Sequence, residues 1–540
     1  MFLRFLFRKL RFFGSSCLSH KPEGEYHEKQ SDECKIKTRL QKSLDSIKDS
    51  LGNSCDVKTH TFKFGPEKRF SGAIVFIDGL VSSSTITESI LRPIVSWQPI
   101  YKLGFSEDEL ADLVSGELLC AGEVTKVSLL SELTLGCLSG DTAILLDGCP
   151  FGLVVSTKGW EKRNVTEPQA ETVVRGPREG FTENLRTNTA LVRRKLKSEN
   201  LRVENLIVGR NTQTDICIMY LDGIADPKVI ETVKYRISGL DVDSILESGY
   251  IEEYIEDAPF SPFATVGYTE KPDVVAARLL EGRVGIVVDG TPIVLTVPML
   301  FIENFQTTED YYTRPLYASL VRILRFIGYL ITVFLPAIYI ALINFHQELI
   351  PTTLLFTIAN AREGTPFPAL LEMMIMIFAF EILREAGIRL PRPVGQAISI
   401  VGALVMGDAA VSAGLVGAPI LITVAITSVA GFLVPAQNDS ASLLRLIMML
   451  LASFAGWYGV SMGFLAVLLY IGSLDSFGTS YFDGFAWSTN LQDSIVRMPL
   501  WSMVRRPKDI ARNNLVRRRF FIPPLRPHSH DDNDDSEREG

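Results

Sequence analysis

Twenty consecutive residues, Phe326 to Phe345, carry no charged side chain. A helix of that length crosses about 30 Å of hydrocarbon, which makes a membrane span the expected fate of this segment. Arg322 and Arg325 stand just before it, so the positive-inside rule places the preceding chain on the cytoplasmic side. Leu349 to Ala359 is short, contains Pro351, and reads as an interfacial or re-entrant element. Pro366 to Leu383, Val394 to Val411 and Leu415 to Val434 are each long enough to cross. Leu446 to Leu474 is 29 uncharged residues, long for one crossing and short for two. Basic residues between Arg497 and Arg526 favour a cytoplasmic C-terminus, which requires an even number of crossings against a safest count of five. A break near Gly456 and Gly459, giving two shallow half-passages, reconciles the two. A long fifth helix followed by re-entrant SFGTSYFDGFAW is the rival.

Charge is distributed accordingly. Residues 320–496 hold 7 basic and 10 acidic side chains, and residues 497–540 hold 10 and 7. The remaining 37 basic and 45 acidic residues lie in residues 1–319, a density of about one in four that suits a soluble protein. The chain therefore reads as a soluble part joined to a lipid-embedded part, which excludes a secreted miniprotein, a collagen-like chain and a wholly disordered one. The seven cysteines all precede the first apolar run, their number is odd, and no CxxC or Cys/His metal spacing occurs. Reduced cytoplasmic thiols are expected.

The soluble part repeats itself. Ala73 to Gly79 and Ile216 to Gly223 are β-like runs ending in Asp-Gly, and Ala143 to Gly148 and Gly285 to Gly290 end the same way. The second Asp-Gly follows the first by 69 residues in one case and 67 in the other, which predicts one αβ module used twice. Ile86 to Ile94 and Lys228 to Ile237 have helical spacing, and LLDGCPFGLVV and VVDGTPIVLTV read as hairpins. The four aspartates could serve metal binding or carboxylate catalysis. Turn chemistry explains them better, because Asp and Gly are favoured there for backbone reasons alone.

The expected fold class is an α/β cytoplasmic region of two related αβ subdomains followed by an α-helical polytopic membrane domain. Residues 1–55 form a basic N-terminal segment, whose Met1 to Gly14 reads as an interfacial membrane-lipid anchor or a frayed tail. Residues 56–170 and 171–318 are the two subdomains, 319–496 the membrane domain with five or six crossings, and 497–540 a basic then acidic cytoplasmic tail.

Several side chains are costly in hydrocarbon, where a charge costs about 2.5–3.5 kcal/mol even on permissive scales. Glu381 and Arg384 are three residues apart on one helix and can pair. Asp408 sits near a helix end and can reach the interface. Glu372 has no obvious local partner, so it is a candidate for an intersubunit contact or an aqueous cavity, with protonation or an interhelical hydrogen bond as the plainer reading. In the fourth crossing Thr423, Thr427 and Gly431 recur every four residues with Ser428 beside them. A wet pore face would use such residues, and so would close helix packing in lipid. No phosphate-loop or dinucleotide motif occurs, and no histidine sits in a nucleophile or metal pattern. Neither an enzyme, a cofactor, a metal site nor nucleic-acid binding is expected.

RGPREGF (175–181), TEKPD (269–273), LLEGRVGIVVDGTP (279–292), EDYY (309–312), TPFP (365–368) and FEILREAGIRLPRPVGQAISIVGALVMGDAAVSAGLV (380–416) carry a family resemblance. From about residue 60 to 510 the chain resembles the A-subunit family of bacterial spore germinant receptors, the GerA family. The resemblance implies a subunit of a nutrient-sensing receptor in the spore inner membrane, with the soluble region and the C-terminus on the spore-core side. It further implies a B-type membrane subunit that senses the nutrient, a C-type lipoprotein subunit, and self-association as a pentameric ring that conducts ions.

Overall fold

The computed structural model describes residues 35–97, 113–119, 123–159, 171, 173–390, 407–483 and 493–517. Residues 1–34 of the basic N-terminal segment, the tail beyond Arg517 and most of the third predicted crossing, Val394 to Val411, lie outside the described residues.

Two five-stranded antiparallel sheets form the first part. Strands β1 (Val57–Phe64), β2 (Phe70–Ile77), β3 (Val124–Val127), β4 (Asp141–Leu146) and β5 (Gly152–Ser156) are ordered β1-β2-β4-β5-β3. Strands β6 (Leu201–Val208), β7 (Thr214–Leu221), β8 (Gly267–Thr269), β9 (Val284–Val288) and β10 (Val294–Val297) are ordered β6-β7-β9-β10-β8, the same topology. Helices α1 (Leu40–Ser50) and α2 (Leu130–Leu138) accompany the first sheet. Helices α3 (Leu185–Lys195), α4 (Pro227–Ser238), α5 (Ser248–Ile255) and α6 (Pro272–Leu280) accompany the second. In α4 the buried residues are Val229, Ile230, Val233 and Ile237, the apolar stripe that the helical spacing predicts.

All four Asp-Gly glycines have positive φ, between 77° and 92°, a backbone that residues with a Cβ adopt at a cost. The aspartates of the second pair do more than turn the chain. Asp147 Oδ1 accepts the Leu40 N–H that opens α1, and Asp289 Oδ1 accepts the Leu185 N–H that opens α3, each at 3.0 Å. Gly148 N–H donates to Thr38 and Gly290 N–H to Glu183, each at 2.8 Å. The repeat thus extends to helix capping, where a carboxylate satisfies an otherwise unpaired N–H and meets the positive end of the helix dipole.

The sheets are joined by a buried ion pair. Arg193 on α3 donates to both oxygens of Asp56, just ahead of β1, at 2.5 and 2.9 Å, and both side chains are 1% exposed.

The second part is helical: α7 (Pro315–Phe345), α8 (Thr352–Arg362), α9 (Ala369–Arg389), α10 (Ala418–Gly431) and α11 (Asn438–Ser473). Among the described residues two helical segments, Pro315–Phe345 and Pro435–Ser473, are long and apolar enough to cross a membrane. The fourth predicted crossing is shorter than its apolar run. Its 14-residue helix spans about 21 Å, because Pro419 holds its first turn and a 3₁₀ turn at Pro435 follows its end.

Helix α11 breaks at Gly456, which has φ 57° and ψ −136°. The chain reverses there. A Cβ on Gly463 would lie 2.6 Å from the Met448 sulfur, although these residues would stand about 22 Å apart along a straight helix. Glycine is required at the break, since a Cβ at Gly456 would come within 2.8 Å of the Phe345 ring. The returning limb brings Tyr470 against Phe263 of the sheet part, with ring centres 6.3 Å apart.

Residues 475–480 then form a small hairpin, β11 (Asp475–Ser476) with β12 (Thr479–Ser480), seated on the second sheet. Ser476 Oγ donates to the Thr265 carbonyl at 2.7 Å and accepts the Met299 N–H at 3.0 Å. The described part of SFGTSYFDGFAW is therefore docked on the sheet part. Helix α7 begins and α11 ends at the same side of the bundle.

Candidate functional site

The helices converge on a polar cleft. Glu381 and Arg384 lie on one face of α9 and pair at 2.5 Å. Arg445 and Ser442, three residues apart on α11, face the same carboxylate, with Arg445 Nη2 at 2.5 Å and Ser442 Oγ at 3.3 Å from Glu381 Oε1. From α10 come Thr427, Ser428 and Gly431, and from α7 Thr332. The space between them is about 10 Å³, enough for roughly one water. One carboxylate faces two guanidiniums, so the cleft carries an excess positive charge in an apolar bundle. Arg445 is 6% exposed, while Glu381 and Arg384 are 27% and 29% exposed.

The hydroxyls on α10 are already engaged. Thr427 Oγ1 donates to the Thr423 carbonyl at 2.7 Å, and Thr423 Oγ1 to the Pro419 carbonyl at 2.9 Å. Such back-bonding to the preceding turn satisfies a hydroxyl in an apolar setting without a partner helix. Thr427 is fully buried and Thr423 nearly so, one turn from the cleft, while Ser428 and Gly431 are half-buried at its edge.

Glu372 lies elsewhere, at the start of α9. It is wholly buried and accepts three hydrogen bonds: from Arg362 at 3.2 Å, Thr365 at 3.1 Å and the Gly417 N–H that opens α10 at 2.9 Å. A partner close in sequence thus exists after all, since Arg362 ends α8 only ten residues earlier. The carboxylate ties the ends of three helices together within one chain. Asp408 is exposed and contributes to neither cluster.

Where the bundle meets the sheets, Arg322 is buried between Asp310 at 2.9 Å and Asp493 at 3.0 Å, and Arg325 also reaches Asp310 at 2.9 Å. Two arginines that signal orientation in the sequence are thus committed to protein carboxylates. Tyr311 O–H donates to Asp493 at 2.8 Å. Burial pushes the Asp493 carboxyl above its usual range, with Arg322 pulling the other way.

Residues Arg445, Ser442, Arg362 and Thr332 are absent from the sequence-derived candidates. Arg445 had a usable signal, for it is the single basic residue between Arg392 and Arg497. A lone cation there calls for a buried carboxylate.

The chain matches a family model described as Bacillus/Clostridium GerA spore germination protein over residues 45–509. It is 44% identical over 489 residues to spore germination protein KA of Bacillus subtilis (strain 168), covering 89% of this chain and 88% of that one. To the uncharacterized membrane protein YfkQ of the same strain it is 42% identical over 483 residues, covering 89% and 93%. Among solved structures, the N-terminal domain of the A subunit of the Bacillus megaterium spore germinant receptor GerK3 matches at 34% identity and TM-score 0.37, over 50% of this chain and 98% of that one. With a family match of this extent and relatives aligned along nearly their whole length, the chain belongs to the GerA family of spore germination proteins.

Proposed function

We propose that this chain is the A-type subunit of a nutrient-sensing germinant receptor and that its helical part, assembled as a ring of copies, forms an ion-conducting pore whose opening triggers germination. The cleft at Glu381, Arg384 and Arg445 carries this reading. Charged groups held beside a water-sized space in an apolar bundle are costly, which makes them candidates for a functional role. In this proposal a B-type subunit senses the nutrient and biases a closed-to-open equilibrium, a C-type lipoprotein completes the receptor, and the ring is pentameric. The chain makes six passes in this proposal, with the two limbs of α11 as the fifth and sixth. Six passes leave the sheets and the C-terminal segment together on the core side of the spore inner membrane.

The candidate pore or gate residues are Ser428 and Gly431 at the cleft edge with Thr427 and Thr423 behind them, and Glu381 and Arg384 as the pair that moves. Glu372 is assigned to holding the bundle, and Asp408 to a contact outside it. Purified receptor in planar bilayers is expected to show nutrient-dependent conductance, and Gly431→Leu or Ser428→Phe to reduce it at least tenfold. Unchanged currents in both variants would remove α10 from the conduction path. No current from the intact receptor, with A subunits crosslinking only singly to B, would favour a non-conducting scaffold.

A further inference from the structure

The first three turns of α7 are amphipathic in the reverse sense. At about 100° per residue, Leu316, Tyr317, Leu320, Ile323, Leu324 and Ile327 fall within an arc of about 120°. All six are exposed, Ile323 least at 38% and Leu316 most at 88%. The opposite arc holds Ala318, Arg322, Arg325 and Tyr329. Ala318, Arg322 and Tyr329 are buried, and Arg325 is bonded to Asp310 and to the Phe305 carbonyl. A helix in water turns its apolar side to the core and its charged side outward. Here both guanidiniums point inward to carboxylates, and the apolar side is left open.

Arg322 and Arg325 therefore set no limit on how far lipid reaches down this helix. The open arc carries no charged residue from Leu316 to Ile327 and runs into the uncharged segment Phe326 to Phe345. At 31 residues α7 is about 46 Å long. Hydrocarbon alone spans about 30 Å, whereas hydrocarbon with both headgroup layers spans about 40–45 Å, which the whole helix matches. The start of α7 carries residue types that suit a headgroup layer: Arg314 at the N-cap and Tyr317, both exposed. The C-terminal segment lies alongside. Ser319, next to the open arc, accepts the Arg497 N–H at 3.0 Å, and Leu500 and Trp501 just after it are exposed as well.

We propose that the first three turns of α7 form a lipid-contact surface, with the open arc packed against phospholipid of the leaflet on the sheet side. The membrane boundary on this face then lies at Arg314 and Tyr317, about 14 Å along the helix from Phe326. The buried joint of Arg322 with Asp310 and Asp493 stands at headgroup depth. This inference rests on the reading that the helical part crosses a membrane, and it does not depend on ion conduction.

The test uses the full chain reconstituted in vesicles of equal parts phosphatidylethanolamine and phosphatidylglycerol, with photoreactive p-benzoylphenylalanine in place of Leu316 or Leu320. The same residue in place of Ile447 or Leu465, exposed midway along the two limbs of α11, reports contact with the bilayer. In place of Leu135, exposed on α2 beside the first sheet, it reports the background. After illumination, peptides carrying one phospholipid are quantified by mass spectrometry and verified by the mass lost to phospholipase C. Positions 316 and 320 are expected to give lipid adducts at least fivefold above position 135. The proposal is overturned, with the membrane reading intact, if position 447 or 465 gives adducts while 316 and 320 stay at background. It is also overturned if 316 and 320 couple to a second copy of this chain instead of lipid. Absence of adducts at every position would overturn the membrane reading along with it. Two open positions are probed, so misfolding of one variant does not obscure the outcome.

Discussion

At the seam between the sheets, Asp56 and Arg193 meet in two bonds with both side chains 1% exposed. In the helical bundle, Glu381 is shared by Arg384 and Arg445 at the edge of a cleft that can admit water. The first pair is one anion matched to one cation in bidentate geometry, with no second arrangement within reach. The second is one anion between two cations, so that either contact can loosen while the other holds. Buried charge of the first kind fixes a joint, and buried charge of the second kind is suited to a part that moves.

Asp56→Ala tests the joint most severely. It leaves the Arg193 guanidinium buried without its anion, and a loss of about 3–5 kcal/mol is expected, read as collapse of hydrogen-exchange protection in β1 and β6. A loss below about 1 kcal/mol would mean that Arg193 escapes to solvent and that the seam is held by other contacts. Gly456→Val tests whether the moving part depends on its reversal. Positive φ for a β-branched residue and the clash with Phe345 should cost about 2–3 kcal/mol and shift the solvent accessibility of cysteines introduced after Ser473. Unaltered accessibility would show that the reversal survives without glycine.

Glu381→Gln addresses the contrast directly. Because water can reach the freed guanidiniums at the cleft, the expected loss is about 1–2 kcal/mol, clearly below that of Asp56→Ala. Equal losses at the two sites would erase the distinction drawn between them. The smallest effect is expected at the repeated caps. Asp147→Ala and Asp289→Ala should each cost about 1 kcal/mol, measured as increased exchange in the first turns of α1 and α3. A clear inequality would show that the two sheets share topology but not the energetics of their caps.

The readable features were local in sequence. The Asp-Gly turns are dipeptides, Glu381 and Arg384 are three residues apart, and the Gly456 break lies in a stretch too long for one crossing. Arg445 escaped notice because it lies 64 residues from Glu381, and no spacing rule connects positions on two different helices. The partners of Glu372, which make it the interhelical hydrogen-bond acceptor of the plainer reading, are not legible in the sequence for a related reason. Its donors come from the end of α8, the turn after it and the start of α10, and none is an i,i+3 or i,i+4 neighbour.

Apolar length, charge density and repeated turn dipeptides by themselves determined that this chain has a twice-used sheet unit followed by an apolar helical part. Those properties follow from local backbone preference and from the cost of exposing or burying each side chain, which every residue carries wherever it lies. Only the tertiary structure decided that Arg445 shares Glu381 with Arg384, that the α10 hydroxyls turn back on their own helix, and that Glu372 ties the ends of three helices together. Each of these depends on which helix faces or strands come together, and that is set by packing the whole chain at once.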